Sequence, residues 1–227
     1  MNEKIYISPS NQVGNLYATG NTNEKVQCHK IARACVEYLE KAKFRVMCTY
    51  NDDMYERVRE SNSFGAQVHI AIHTNATVKH NVTGGTQILL YSISGEREKA
   101  GRAVLNRLSP ITPGKSAEGL VAKPDFYECR ATKGITIYCE CEFHDTKTGS
   151  DFIIKNTKAM GEAIAKGICD YYGVALPEND EKINASADAK TLYTVQTGAF
   201  TSKKNAQVHL NKLKKSGFDG FIIQKSN

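Results

Sequence analysis

The chain has 227 residues, of which 41% are hydrophobic, and a formal net charge of +6 at pH 7. This length suits one sizeable α/β domain and a small second module. No apolar run approaches the ~18–20 residues of a membrane span, so we expect no membrane partner.

Strand-like and helix-like segments alternate along the first 174 residues. Runs rich in β-branched and aromatic residues predict strands at 4–8, 44–50, 67–73, 86–92 and 134–143. Helical spacing of apolar residues predicts helices at 23–42, from Asp52 or Asp53 to about residue 65, at 96–108 and at 156–172. This alternation indicates an α/β fold with a largely parallel sheet flanked by helices, in a domain spanning 1–174.

The composition changes after Gly173. Residues 175–190 are polar with little apolar content and are interpreted as a linker. Residues 191–227 predict a strand, a helix and a second strand, which would form a small α+β (β-α-β) module. Residues 192–227 hold six lysines and one aspartate, so most of the positive charge belongs to this tail. Since the main body is nearly neutral, we predict no nucleic-acid partner.

The N-terminus and the cysteines both bear on the compartment. The first ten residues lack the basic and apolar regions of a signal peptide, so we expect synthesis in the cytoplasm. The seven cysteines are odd in number and match no disulfide scaffold or CxxC pair. We therefore expect free thiols in the core.

Three residues are candidates for chemistry at one edge of the sheet. Glu24 begins the first helix, His73 ends the third strand, and Glu140 lies in the fifth strand. Ligands and reacting groups gather beyond the carboxyl ends of parallel strands. A histidine, a glutamate and one further ligand could hold Zn²⁺ with a position left for water, and a second glutamate could take the proton of that water.

Each candidate also has a structural interpretation. Glu24 could be an acid favoured by the helix dipole, and His73 a hydrogen-bonded histidine at a strand end. Glu140, within an apolar strand, is costly to bury unless it is used or paired. Glu142 shares its face, and a close carboxylate pair would raise one pKa. His69 lies ~13 Å from His73 along the strand and is predicted to be structural.

The segments "YIS…GNTNEKVQCHKIA", "ERVRESN…AIHTNA" and "YCECEFHD" together resemble the zinc-dependent N-acetylmuramoyl-L-alanine amidases of the amidase-3 type, over residues 3–173. The resemblance implies hydrolysis of the amide between muramic acid and the first alanine of peptidoglycan. It assigns Glu24 and His73 as zinc ligands and Glu140 as the catalytic glutamate. Arg57 and Asn62 also match a family motif.

The first loop departs from the family pattern. The family has a zinc-ligand histidine in "DPGHGG", where this chain reads "SPSNQV". Asn11 falls at the histidine position, but loops of the form SPS-x-Q resemble an offshoot of the family, which favours Gln12 as the third ligand. His144 is a candidate to polarise the carbonyl or steady the leaving amine, with a surface turn as the alternative. His80 is predicted to be a loop residue.

The tail resembles a SPOR module, on "YTVQTGAF" and "KKNAQVHLNKLKKSGF". SPOR modules bind glycan strands stripped of stem peptides. The resemblance covers about half of such a module, which predicts a homodimer through residues 192–227. The predicted function is a peptidoglycan amidase, an endolysin or an autolysin, that reaches the wall after holin release or cell lysis. The alternatives are a catalytically impaired amidase fold that binds peptidoglycan and a metallopeptidase acting on another amide.

Overall fold

The structure is a computed structural model that describes residues 2–77, 84–176, 197–215 and 222–223. The chain divides into two compact units, residues 1–178 and residues 179–227. None of the described helices has the length and apolarity to cross a membrane.

The first unit contains six strands and five α-helices among its described residues. The strands are β1 (Lys4–Pro9), β2 (Arg45–Cys48), β3 (Val68–Asn75), β4 (Gln87–Leu90), β5 (Gly119–Ala122) and β6 (Ile135–Phe143). The helices are α1 (Glu24–Lys41), α2 (Met54–Phe64), α3 (Gly95–Leu108), α4 (Tyr127–Ala131) and α5 (Lys147–Tyr172), and a 3₁₀ turn covers Ser109–Ile111.

The strands form one mixed sheet in the order β2-β1-β3-β6-β4-β5. Strand β1 pairs in parallel with β2 and β3, and β3 pairs in parallel with β6. Strand β4 runs antiparallel to β6 and parallel to β5. The predicted α/β fold is confirmed, and the carboxyl ends of β1, β3 and β6 meet at one edge.

The two faces of the sheet have different covers. Helices α1, α3 and α5 pack on one face, over a core that includes Ile7, Ile70, Ile72 and Ile137. Helices α2 and α4 lie on the other side, where a small cluster comprises Ala71, Leu89, Cys129 and Tyr138. Since side chains alternate along a strand, His69, Ala71 and His73 share this second face.

Two elements were missed and one predicted boundary was wrong. Strand β5 and helix α4 were missed, because four or five residues carry too little periodicity to recognise. Helix α5 begins at Lys147 rather than at residue 156, and it bends at Asn156, where φ is −123°. The Asn156 side chain donates to the Phe152 carbonyl across this bend, which links the segment before the bend to the segment after it.

The described part of the second unit contains one helix, α6 (Lys203–Lys215). Most of the two predicted tail strands, and His80 in the first unit, lie outside the described residues. All seven cysteines are free thiols, and all except Cys48 are buried.

Candidate functional site

The pairing of β3 with β6 brings two of the candidate residues together. His73 on β3 is the direct partner of Glu140 on β6, so both side chains leave the sheet on the same face. The ring of His73 stacks on Tyr138, with centroids 4.4 Å apart. Helix α1 starts beside this edge because Asn23 caps it through the amide of Val26, and Glu24 is its first residue.

Glu24 and His73 form a buried pair. His73 Nδ1 lies 2.8 Å from Glu24 Oε1. Glu24 is 1% exposed and His73 is 5% exposed. The backbone amide of Thr74 donates to the same oxygen at 3.3 Å. The pair joins the start of α1 to the end of β3, residues 49 apart in sequence.

The first loop surrounds this pair with polar side chains. Gln12 Nε2 lies 3.4 Å from His73 Nδ1, whereas the Asn11 amide donates to the backbone carbonyl of Asp52. Asn15 Nδ2 donates to Gln12 Oε1 at 2.8 Å and to Glu24 Oε2 at 2.5 Å. Of the two residues considered for the third ligand, the structure therefore places Gln12 next to His73.

The pair favours its ionised form. Burial opposes ionisation of Glu24, but the hydrogen bond and charge of His73, aided by Asn15 and Ser10, hold its pKa below the ordinary value. Burial likewise disfavours charge on His73, but the bond to Glu24 and its charge raise the pKa of the imidazole. Glu24 and His73 thus stabilise each other as a carboxylate–imidazolium pair.

Glu140 is a buried carboxylate with a raised pKa. Burial raises its pKa to about 7; the positive charge of His73 opposes this rise and the charge of Glu24 adds to it. Glu140 Oε2 and His73 Nε2 are both shielded from solvent and have no hydrogen-bond partner among the described residues. Buried polar atoms without a partner are often sites that bind a substrate, a water molecule or an ion.

Glu142 does not act on Glu140 as the strand pattern predicted. Its Oε1 accepts from the amides of Gly85 and Phe143 at 2.7 and 2.8 Å, and its Oε2 accepts from Gly114 at 2.9 Å. The predicted carboxylate pair is therefore wrong as the cause of the raised pKa of Glu140, which comes from burial and Glu24. Glu142 instead ties two loops to the end of β6.

His144 is buried rather than in a surface turn. Its Nδ1 lies 3.0 Å from both the carbonyl oxygen and the hydroxyl of Thr74, and its ring stacks on Tyr17. A carbonyl can only accept, so Nδ1 carries the proton. Burial lowers the pKa of this imidazole. These contacts hold Thr74, the neighbour of His73, in place at the end of β3. The predicted contact between His144 and the substrate stays a prediction.

The sequence interpretation missed Glu128 on α4. Its carboxylate is buried, accepts from the Ser8 hydroxyl at 2.6 Å, and lies 3.1 Å from His69 Nε2. Burial opposes its ionisation, but the bond and charge of His69 bring its pKa to about 2. His69 therefore has a structural partner. A signal existed in the carboxylate of "FYECR", but its partner is 59 residues away.

The donor set can be tested against a metal ion. Among the described residues no group of three or more His, Cys, Asp and Glu side chains gathers to hold one. Glu24 and His73 supply two suitable donors 2.8 Å apart, a hydrogen-bonding distance. Tetrahedral ligands with bonds of ~2.1 Å to one ion lie ~3.4 Å apart, so the two donors would have to separate slightly to hold Zn²⁺. Gln12 supplies an amide, which would have to turn its oxygen toward His73 to become the third ligand.

Comparisons with known proteins support the family. Residues 8–170 match the N-acetylmuramoyl-L-alanine amidase family, and residues 178–224 match the SPOR domain. The SPOR match begins inside the segment interpreted as a linker. The sporulation-specific N-acetylmuramoyl-L-alanine amidase of Bacillus subtilis (strain 168) is 25% identical over 231 residues, covering 98% of this chain and 85% of the relative.

Solved structures share the fold of the first unit. The catalytic domain of CwlV, an N-acetylmuramoyl-L-alanine amidase from Bacillus (Paenibacillus) polymyxa var. colistinus, superposes with a TM-score of 0.67 at 17% identity, covering 76% of this chain and 99% of that domain. Cwp6 from Clostridium difficile has a TM-score of 0.67 at 24% identity, over 75% of this chain and 29% of its own. The chain belongs to the N-acetylmuramoyl-L-alanine amidase family, and it hydrolyses the amide bond between N-acetylmuramic acid and L-alanine of peptidoglycan.

Proposed function

We propose that the amidase reaction depends on Zn²⁺ held by Glu24, His73 and Gln12, with Glu140 as the general base. The observation that supports this most is the buried Glu24–His73 pair, which lies beside the direct strand partner of His73. Replacing a histidine ligand by glutamine exchanges one neutral donor for another, so the charge of the set is kept. When bound, the ion would polarise the scissile carbonyl and acidify a water molecule.

Glu140 would carry the proton through the reaction. With a pKa of about 7, a large fraction of this carboxylate is ionised near neutral pH. It would accept a proton from the attacking water as the new C–O bond forms. It would then donate that proton to the alanine nitrogen as the C–N bond breaks, which leaves a lactyl carboxylate and a free amine. The base is regenerated ionised.

The choice between Gln12 and Asn11 is testable by metal binding. We expect Gln12→Ala to lower zinc affinity, because it removes the side-chain amide next to His73 whose oxygen would turn toward the ion. Asn11→Ala is the matched control, since it removes a neighbouring amide that bonds the Asp52 backbone instead. Competition with a chromophoric chelator measures both affinities. A loss confined to Asn11→Ala would assign the third ligand to Asn11.

We also propose that the tail binds glycan strands stripped of stem peptides and forms a homodimer. The match to the SPOR domain supports the first part. The six lysines of residues 192–227 would attract the lactyl carboxylates that the amidase reaction leaves on the glycan strand. Phe200, Val208 and Ile223 expose 45%, 49% and 57% of their surface, and a second copy could cover them.

Truncation after Val174 tests the tail. We expect the shortened chain to be a monomer that cleaves soluble muramyl peptides as fast as the full chain but sediments less with purified walls. The reason is that the core and all proposed site residues precede the cut. Light scattering at micromolar concentration measures the mass of both proteins. A monomeric full-length chain would rule out the dimer.

A further inference from the structure

Asn15 makes two hydrogen bonds that meet at the proposed metal site. Its Nδ2 atom lies 2.5 Å from Glu24 Oε2 and 2.8 Å from Gln12 Oε1. A primary amide nitrogen carries two hydrogens, so one atom can satisfy both acceptors at once. Serine, with one hydrogen, or aspartate, with none when ionised, could not make both bonds.

The backbone fixes Asn15 against the start of α1. The amide of Glu24 donates to the Asn15 carbonyl at 3.0 Å, and that of Lys25 donates to the Gln12 carbonyl at 3.3 Å. These carbonyls satisfy two N–H groups that a helix start leaves without internal partners. A further bridge joins Leu16 to Asn23. The Asn15 side chain is therefore held at a set distance from the carboxylate of Glu24.

The two oxygens of Glu24 consequently have different surroundings. Oε2 is tied back to Asn15, whereas Oε1 faces His73 Nδ1 at 2.8 Å. Without the Asn15 bond the carboxylate could rotate about its last torsion, which is broad for glutamate. The same amide holds Gln12 Oε1, so that Gln12 Nε2 is the atom that faces His73. Gln12 is exposed to solvent, and its amide would have to turn before its oxygen could bind an ion.

We infer that Asn15 is a positioning residue that orients Glu24 toward a metal ion shared with His73. This inference rests on the proposed zinc site. Outer partners of metal ligands restrict the ligands to their binding orientation, and their loss typically costs about 10–100-fold in metal affinity. Asn15 would carry this role in a loop that lacks the histidine of the family motif.

Zinc affinity of the full-length protein tests the inference without reference to activity. We expect Asn15→Ala to weaken zinc binding about 10–100-fold in competition with a chromophoric chelator. Asn23→Ala is the matched control, because it removes an amide from the same junction and uncaps α1 but breaks no side-chain bond to Glu24. Its zinc affinity should stay within about threefold of wild type, although uncapping lowers its melting temperature.

The outcomes separate the two proposals. Zinc binding by wild type together with an unchanged affinity of Asn15→Ala would overturn the role of Asn15 and leave the metal site standing. Losses of zinc affinity in both variants that follow the drop in their melting temperatures would also overturn it. The weaker binding would then reflect general destabilisation of the loop. A wild-type protein that binds no zinc at all would overturn the metal site, and the inference with it.

Discussion

Glu140→Gln is expected to lower the rate of peptidoglycan hydrolysis by about 10²–10⁴-fold, the usual contribution of a general base. Glutamine has nearly the same shape but cannot accept a proton. Release of soluble muramyl products from purified walls measures the rate. In wild type, kcat/KM should rise with pH, because the base acts in its ionised form. The midpoint should lie at or below about 7, since the pKa of Glu140 is about 7 in the metal-free site and a bound cation lowers it. The variant should lack this rise.

Stability provides the control for this variant. The pKa of Glu140 is raised by burial, so the folded state disfavours the ionised form. This cost is absent below the ordinary pKa of glutamate and is reached in full above pH 7. Glu140→Gln removes the cost, so its melting temperature at pH 8 should equal or exceed that of wild type. Retention of nearly full activity would assign the base elsewhere.

His73→Ala and Glu24→Ala are each expected to abolish stable zinc binding and, with it, wall hydrolysis. Each change removes one of the two strong donors of the proposed set and leaves the other buried without its partner. The loss of affinity should exceed ~100-fold, the upper value for an outer partner of a ligand. Elemental analysis after dialysis against a weak chelator measures the metal content.

His69→Ala is the matched control for the histidine change. It removes a buried imidazole from the same strand and face, but one whose partner is Glu128 rather than Glu24. We expect lower stability and an unchanged zinc content. Full zinc content in Glu24→Ala would refute the proposed ligand set. Full activity in a variant that has lost its zinc would instead favour a metal-independent reaction.

Much of the fold could be predicted from local patterns. Apolar strands such as β1 and β3 are buried on both faces and read as continuous hydrophobic runs. The capped start of α1 is visible in "NTNEKV". The juxtaposition of His73 and Glu140 follows from their positions near the carboxyl ends of two parallel strands, provided that these strands are neighbours. Local periodicity and that one topological rule were enough to nominate Glu24, His73 and Glu140.

The roles of the remaining polar residues depended on contacts between distant segments. Period-two alternation puts Glu140 and Glu142 on one face, yet only Glu142 receives amides from Gly85 and Gly114. The register shifts between His73 and Asn75, so β6 has an extra residue opposite Thr74. No local signal encodes this bulge, because it arises from the pairing of two strands.

The partners of Glu24 and Glu128 were decided in the same way. A buried carboxylate needs donors, but the sequence does not say which donor reaches it. Folding brings Glu24 on α1 next to Asn15 and to His73 on β3. It brings Glu128 on α4 next to Ser8 on β1 and His69 on β3. The sequence by itself determined which groups could do chemistry, whereas packing determined which are bonded and which are left unpartnered at the site, because desolvation and hydrogen bonding act only once the chain has folded.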